Sequence, residues 1–594
     1  MKRKEMDAAY QWDLTDIYKD QKAWEKDYER LKEELNKASE YQGTLAETSE
    51  NLATFLEFNS AIEERLENVY IYANQKLHED MALDVSQAMA AKADDIMVQV
   101  SEAVAFAEPE ILQMEEEKLR SWIEKEPRIH CYQKYLSDLL ERKPHVLETK
   151  MEQMLAQVGT ISSSPKDTFM MFNNADARFE PATDKNGKEY VVTHGTFTSL
   201  LSSQDRTLRK NAFASMYQEF GNYRNSLAAM FQANVKQDIF YAKVRRYESS
   251  REMHLSGNQI PECVYDQLID TVHERMNLMY RYVALRKKAL QLDEVHMYDL
   301  YAPMVADAEI KVTYEEAKQM VKDGLAPMGE EYLSHLQEGF DCGWIDVYEN
   351  EGKRSGAYSW GTYGAHPYVL MNFQGKLNDV FTLAHEMGHA LHSYYANHAQ
   401  PYHLAGYRIF VAEVASTCNE SLLIHHLLKT TDDKKQRAYY INYFLEQFKG
   451  TLYRQTMFAE FECKVHQMAE AGEALTASNL CQIYYELNQL YFGKDIQIDR
   501  EIEMEWARIP HFYTPFYVYQ YATGFSAAIA LSKKILEQGE TAVKDYLSFL
   551  KGGGSKDPIS LLKIAGIDMS KKEPVEEALD VFEELLNEFD QTLA

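Results

Sequence analysis

Five consecutive residues, His385, Glu386, Met387, Gly388 and His389, carry the types and spacing of a metal-dependent hydrolase. At 3.6 residues per turn, two histidines four apart differ by about 40° around a helix axis, so both imidazoles can reach one ion. Glu386 projects to the side, where it can meet an activated water without ligating the metal. The flanking residues predict the helix this requires. Val380, Phe381, Leu383, Ala384, Met387, Ala390 and Leu391 recur at helical spacing, and from Val380 to Tyr395 no proline and no charge other than Glu386 interrupts them. Asn378 is the expected N-cap, with Asp379 complementing the positive end of the helix. Two histidines and a glutamate on a buried helix need a partner that satisfies all three, and one zinc ion per chain does so.

A catalytic zinc takes a third protein ligand and keeps its fourth position open. A histidine six residues after His389 is excluded, because Tyr395 stands there. Residues 408–420 offer Glu413 and Glu420, seven apart and so on nearly the same helical face. Glu413, flanked by small and apolar residues, is the favoured ligand. Glu420 is expected to accept a hydrogen bond from a ligand histidine and orient it, with His392 in a similar supporting role.

The run from His385 to His392, followed by Val411-Ala412-Glu413-Val414-Ala415-Ser416-Thr417, resembles the oligoendopeptidase F branch of the thimet-oligopeptidase-like zinc peptidases. Asp299 to Pro303, Ser359 to Gly364, Pro367 to Asn372, Ile509 to Tyr513 and Pro515 to Gly524 resemble the same branch, so the likeness covers roughly residues 115 to 585. The resemblance implies an endopeptidase for oligopeptides. It also implies a mainly helical, two-lobed fold with a deep central cleft, and a histidine and tyrosines from the 511–521 region lining that cleft.

The residues support peptide hydrolysis in their own right. The reaction passes through a tetrahedral oxyanion. Zinc can polarise the carbonyl and acidify a water, while Glu386 takes the proton and delivers it to the leaving amine. A second electrophile commonly helps hold the oxyanion. His511, Tyr517, Tyr519 and Tyr521 supply candidates within one short segment, although a helix would let only some of these tyrosines face the metal. Gly361 and Gly364 precede a β-favouring run through Tyr368, and glycines beside a strand suggest a turn or a close backbone approach to a ligand. The resemblance implies that this strand edge and these three residues bind extended substrate.

Composition narrows the alternatives. A net charge of −30 argues against nucleic acid and anionic membranes as partners. The N-terminal residues lead into no apolar run and no stretch approaches a membrane span of about 20 apolar residues, so a cytoplasmic enzyme is expected. The six cysteines lack paired spacing, as in a reducing compartment.

Helical periodicity dominates the chain. Trp24 to Ala38, Leu52 to Gln75 and Met81 to Phe106 predict an antiparallel bundle. Small β elements are expected at two places. One is a hairpin near 177–193, with arms Ala177 to Glu180 and Glu189 to Thr193 around Asn186-Gly187. The other is a β-rich patch near 343–373. The expected organisation is an N-terminal helical lobe over 1–115, a helical and hairpin segment over 116–204 completing it, and a zinc-peptidase domain over 205–594. Two other readings share the motif. A zinc carboxypeptidase or other exopeptidase needs a group for a chain terminus, and none is identified. A non-catalytic helical binding protein with a structural zinc has no need of Glu386.

Overall fold

The computed structural model describes residues 2–305 and 310–593, with the side chains of Thr149 and Thr160 left aside. The fold is mostly helical with minor β elements. The chain forms two compact units, each assembled from three separated stretches: 1–146, 310–426 and 531–566 in the first, 147–309, 427–530 and 567–594 in the second.

In the first unit the expected bundle is present as Gln21–Leu35, Ser49–Glu79 and Asp84–Val104. The Thr48 hydroxyl caps the second of these helices by accepting the Asn51 N–H. Trp24, Leu31, Val69, Ala93 and Ile96 are fully buried at its centre, where the Trp24 indole N–H donates to the Val69 carbonyl at 2.9 Å. A second cluster gathers Leu52, Leu56, Ile111, Leu119, Leu136 and Leu139. The β-rich patch is a three-stranded sheet. Tyr368–Leu370 lies at its centre, parallel to Ile345–Asp346 and antiparallel to Tyr358–Trp360. Among the described residues both outer strands of this sheet pair on one side only, and Tyr368 and Leu370 belong to the buried helical core.

The second unit packs Arg206–Asn222, Arg224–Val244, Arg454–Glu470 and Ala477–Phe492 with a 3-10 stretch, Arg500–Arg508. Its parallel strand pair joins Val295–His296 to Ile496–Gln497. The predicted hairpin is present but shifted and shorter: Ala182–Thr183 pairs with Glu189–Tyr190. Residues 177–180 are not a strand, because their backbone bonds to a helix instead. The Arg178 N–H donates to Glu219, and the Glu180 carbonyl accepts from the Ser215 hydroxyl at 2.6 Å. The Asn-Gly turn is as expected, with Gly187 at φ +79° and the Asp184 carboxylate accepting the Asn186 and Lys188 N–H groups. Among the described residues, no helix is long and apolar enough to cross a membrane.

Candidate active site

The motif helix runs from Leu377 to Ala399. Its N-cap is Lys376 rather than Asn378. Asp379 lies in the third helical position and reaches back to accept the N–H groups of Gln374 and Lys376, both at 2.9 Å, which fixes where the helix begins. A second helix, Ile409–Thr430, crosses it closely. A glycine in mid-helix destabilises by about 0.5–1 kcal/mol relative to alanine, so Gly388 needs a reason. The close crossing supplies one: a Cβ there would lie 2.5 Å from Ser416 Cα and 2.8 Å from the Ala415 carbonyl oxygen. Asn419 then pins the crossing. Its amide donates to the Ala384 carbonyl at 3.1 Å, and its oxygen accepts from the buried Tyr332 hydroxyl at 2.9 Å.

This crossing brings together His385, His389 and Glu413. The two Nε2 atoms are 3.2 Å apart, and each is 3.4 Å from Glu413 Oε2. A tetrahedral zinc with bonds of about 2.0–2.1 Å has ligand-to-ligand edges of about 3.3–3.4 Å. The three donor atoms therefore already stand at the separations such an ion imposes, and the donor set of two imidazoles and one carboxylate suits it. Among the described residues no other group of three His, Cys, Asp or Glu side chains meets in this way.

Supporting contacts set the protonation of His385 and Glu413. Glu420 Oε1 lies 2.6 Å from His385 Nδ1, so that nitrogen donates and Nε2 turns its lone pair toward the other donors. The Ser416 hydroxyl donates to Glu413 Oε2 at 3.2 Å. Burial opposes a charge on His385, but Glu413 and Glu420 outweigh it and lift its pKa well above the ordinary imidazole value. A proton and a cation thus compete for the same position. Burial also opposes ionisation of Glu413, yet the two histidines hold its carboxyl well below the usual range. Glu386 is nearly enclosed, and burial raises its pKa.

The other expected residues fall into distinct surroundings. His392 is buried, stacked on Tyr407 with ring centroids 3.7 Å apart, and also meets Phe549; burial lowers its pKa to about 3, so it is a neutral packing residue. Tyr368, expected among the substrate-binding residues, has its side chain fully enclosed against Trp12 and His366. Gly361 and Gly364 lie in the turn between two strands. Gly364 adopts φ +86° with nothing nearby, and a Cβ on Gly361 would press on Pro367 at 3.2 Å. This turn is tied to the end of the motif helix by the Tyr363 hydroxyl, which donates to the Gln400 carbonyl at 3.0 Å.

His511, Tyr517 and Tyr521 form an accessible cluster in the second unit. The His511 ring is parallel to Tyr517 at 6.2 Å, and the Tyr521 hydroxyl is 3.3 Å from His511 Nε2. Desolvation lowers the His511 pKa. Tyr519 departs from this group: it is buried against Tyr265, as its place on the opposite side of the helix Tyr519–Gln538 requires. The residues that sequence reasoning passed over are Gly388, Ser416 and Asn419. The signal for them was a helix-interior glycine, and a serine three residues after Glu413.

Comparison with known proteins agrees with this geometry. The model of peptidase family M3 matches residues 199–581, and the oligopeptidase F model matches residues 110–179. Oligopeptidase PepF of Bacillus subtilis is 48% identical over 591 residues, covering 100% of this chain and 88% of that protein. Group B oligopeptidase PepB of Streptococcus agalactiae is 40% identical, covering 100% and 98%. The crystal structure of oligoendopeptidase-F from Enterococcus faecium superposes with a TM-score of 0.75 at 38% identity, covering 96% and 98%. The chain belongs to peptidase family M3. Within that family it falls in the oligoendopeptidase F branch. Family and His-His-Glu cluster together support a metal-dependent endopeptidase.

Proposed function

We propose that this protein is a zinc endopeptidase that hydrolyses internal bonds of oligopeptides, with His385, His389 and Glu413 as metal ligands and Glu386 as the proton-transferring group. The observation that carries this reading is the set of three donor atoms 3.2–3.4 Å apart, matched to the edges of a tetrahedral zinc site. Bound there, the metal would supply Lewis-acid chemistry, polarising the scissile carbonyl and acidifying a water.

The chain's own residues do the rest. Glu386 takes the proton of the attacking water onto its carboxylate and passes it to the leaving nitrogen. Burial raises its pKa, which suits a group that must hold a proton between two steps. Glu420 keeps His385 in the tautomer that presents Nε2. In this reading His511, Tyr517 and Tyr521 act on the same substrate, with a tyrosine hydroxyl donating to the oxyanion. Backbone at Gly361 and Gly364 and the one-sided strand Tyr358–Trp360 take the extended peptide. A deep cleft that admits short chains and excludes folded proteins belongs to the same proposal, as does a cytoplasmic location.

The test is cleavage of an internally quenched peptide blocked at both ends, by wild type and Glu386→Gln, with bound zinc counted in each. The expected result is zinc in both and a loss of about 10³-fold in kcat in the variant. Zinc in both with no cleavage by the wild type would overturn the endopeptidase reading in favour of an exopeptidase or a zinc-holding binding protein. Cleavage of a stable folded protein as readily as of the peptide would remove the size restriction.

A further inference from the structure

Four described residues other than glycine hold a left-handed backbone: Arg246, Gln259, Gln291 and Phe516, with φ between +52° and +66°. Three of them have an ordinary cause. Arg246, Gln259 and Gln291 each lie two residues beyond a helix. The next N–H in each case (Tyr247, Ile260, Leu292) bonds back to Ala242, Leu255 or Lys287, closing the helix end. Phe516 ends no helix. It sits between the 3-10 turn Pro510–Tyr513 and the helix beginning at Tyr519. A bulky side chain in this conformation persists only where its surroundings over-determine it.

Those surroundings can be named. The Phe516 N–H donates to Glu462 Oε1 at 2.7 Å, and its ring is buried beside His466, Tyr265 and His254. Glu462 projects from the helix Arg454–Glu470 and is 1% exposed. It forms no ion pair with an Arg or Lys among the described residues, and its Oε2 accepts and donates nothing there. Burial pushes its pKa up to about 8, against the opposing pull of nearby His466. A buried carboxyl with no Arg or Lys partner is an unfavourable way to build a helix interface. Its one strong contact is to the backbone of the strained residue.

The residue after Phe516 is Tyr517, whose ring faces His511 at 6.2 Å and Tyr521 at 5.4 Å. Tyr513 and Pro515, just before the turn, border a groove of about 510 Å³. We infer that Glu462 is a positioning residue: by holding the Phe516 N–H it fixes the left-handed turn that aims Tyr517 at His511. The inference rests on the proposed role of the His511, Tyr517 and Tyr521 cluster in peptide hydrolysis.

The test uses the zinc-loaded full-length protein and the doubly blocked peptide, with kcat and KM measured separately and zinc counted. Tyr517→Phe and His511→Ala probe the cluster itself. Glu462→Leu removes the acceptor, and Glu462→Gln keeps an oxygen for the same N–H. The expected result is a loss of about tenfold or more in kcat for Glu462→Leu, at unchanged zinc content and with KM within about twofold. Glu462→Gln is expected to recover kcat to within about threefold of wild type, which a purely structural role does not require. Hydrogen exchange at the wild-type Phe516 amide supplies an arm that needs no variant, and slow exchange is expected. Wild-type kcat in Glu462→Leu beside a loss in Tyr517→Phe overturns the positioning role alone, as does fast exchange at Phe516. Wild-type kcat in both Tyr517→Phe and His511→Ala overturns the reading of the cluster, and the positioning role with it.

Discussion

Glu413 and Glu505 are both carboxylates held below their ordinary pKa, and the groups around them differ in kind. Glu505 is 2% exposed and fully answered from within the chain. Arg454 donates to both of its oxygens at 2.7 and 3.2 Å, Tyr484 and Tyr217 donate at 2.6 and 3.0 Å, and Arg508 stands 3.6 Å away. Burial alone would raise its pKa, but the two guanidiniums bring it down to about 2. Glu413 faces two imidazole nitrogens that can present lone pairs, and its partners bring no permanent charge. The first arrangement supplies its own cation, so its product is stability. The second converges donors on a point that only a proton or a metal satisfies, so its product is binding. A carboxylate held below its ordinary pKa is therefore informative about function when its neighbours leave the charge balance open.

The contrast between the two carboxylates sets four expected outcomes of decreasing size. The largest effect is expected for Glu505→Leu, which strands two partly buried guanidiniums and should lower unfolding free energy by about 3 kcal/mol in urea titration. A loss below 1 kcal/mol would mean that the network is not the closed unit described. The pH dependence comes next. Glu505 has a folded pKa of about 2 against an ordinary 4.5. Its contribution is thus fully present above about pH 4.5 and is lost as pH falls towards 2, a span worth up to about 3 kcal/mol. Glu505→Gln should flatten that part of the stability-versus-pH curve, and an unchanged curve would assign the acid limb elsewhere.

Gly388→Ala should follow, because its Cβ meets backbone rather than a yielding side chain. Forcing the two helices apart is expected to cost about 1–3 kcal/mol in thermal or urea unfolding. It should also weaken zinc binding, measured by competition with a chelator, whereas the Glu505 variants should leave the zinc affinity of the folded protein unchanged. The smallest effect is expected for Glu420→Gln. The amide oxygen can still accept from His385 Nδ1, so only the carboxylate charge is lost and zinc affinity should fall by about tenfold. Equal affinity would show that the hydrogen bond, not the charge, is what His385 needs.

How much of this was legible in the sequence depended on how local the cause was. The motif helix, the roles of its two histidines as neighbours on one face, and the distance of seven between Glu413 and Glu420 follow from helical period alone. So does the separation of Tyr519 from Tyr521, since residues two apart on a helix face nearly opposite ways. The hairpin turn was readable from Asn186-Gly187, but its arms were not, because the Ser215 and Glu219 side chains of a helix claim the backbone that precedes it. Tyr368 looked like a cleft residue because its strand is short and glycine-flanked. Its burial is decided by Trp12, more than 350 positions away in the chain, which no local pattern encodes. Gly388 was visible and its meaning was not, since a glycine reports a close approach without saying to what.

The assembly of the first unit from stretches 1–146, 310–426 and 531–566 sets an order of events during synthesis. The ribosome delivers both metal-site helices well before it makes the last stretch. That stretch carries Phe549, which meets His392, and Tyr546, which reaches the buried thiol of Cys418. Until residue 566 has left the exit tunnel, the backs of the two helices lack their cover. The nascent chain thus carries these two helices uncovered from their synthesis until the last stretch emerges, and a finished metal centre is a late product of translation.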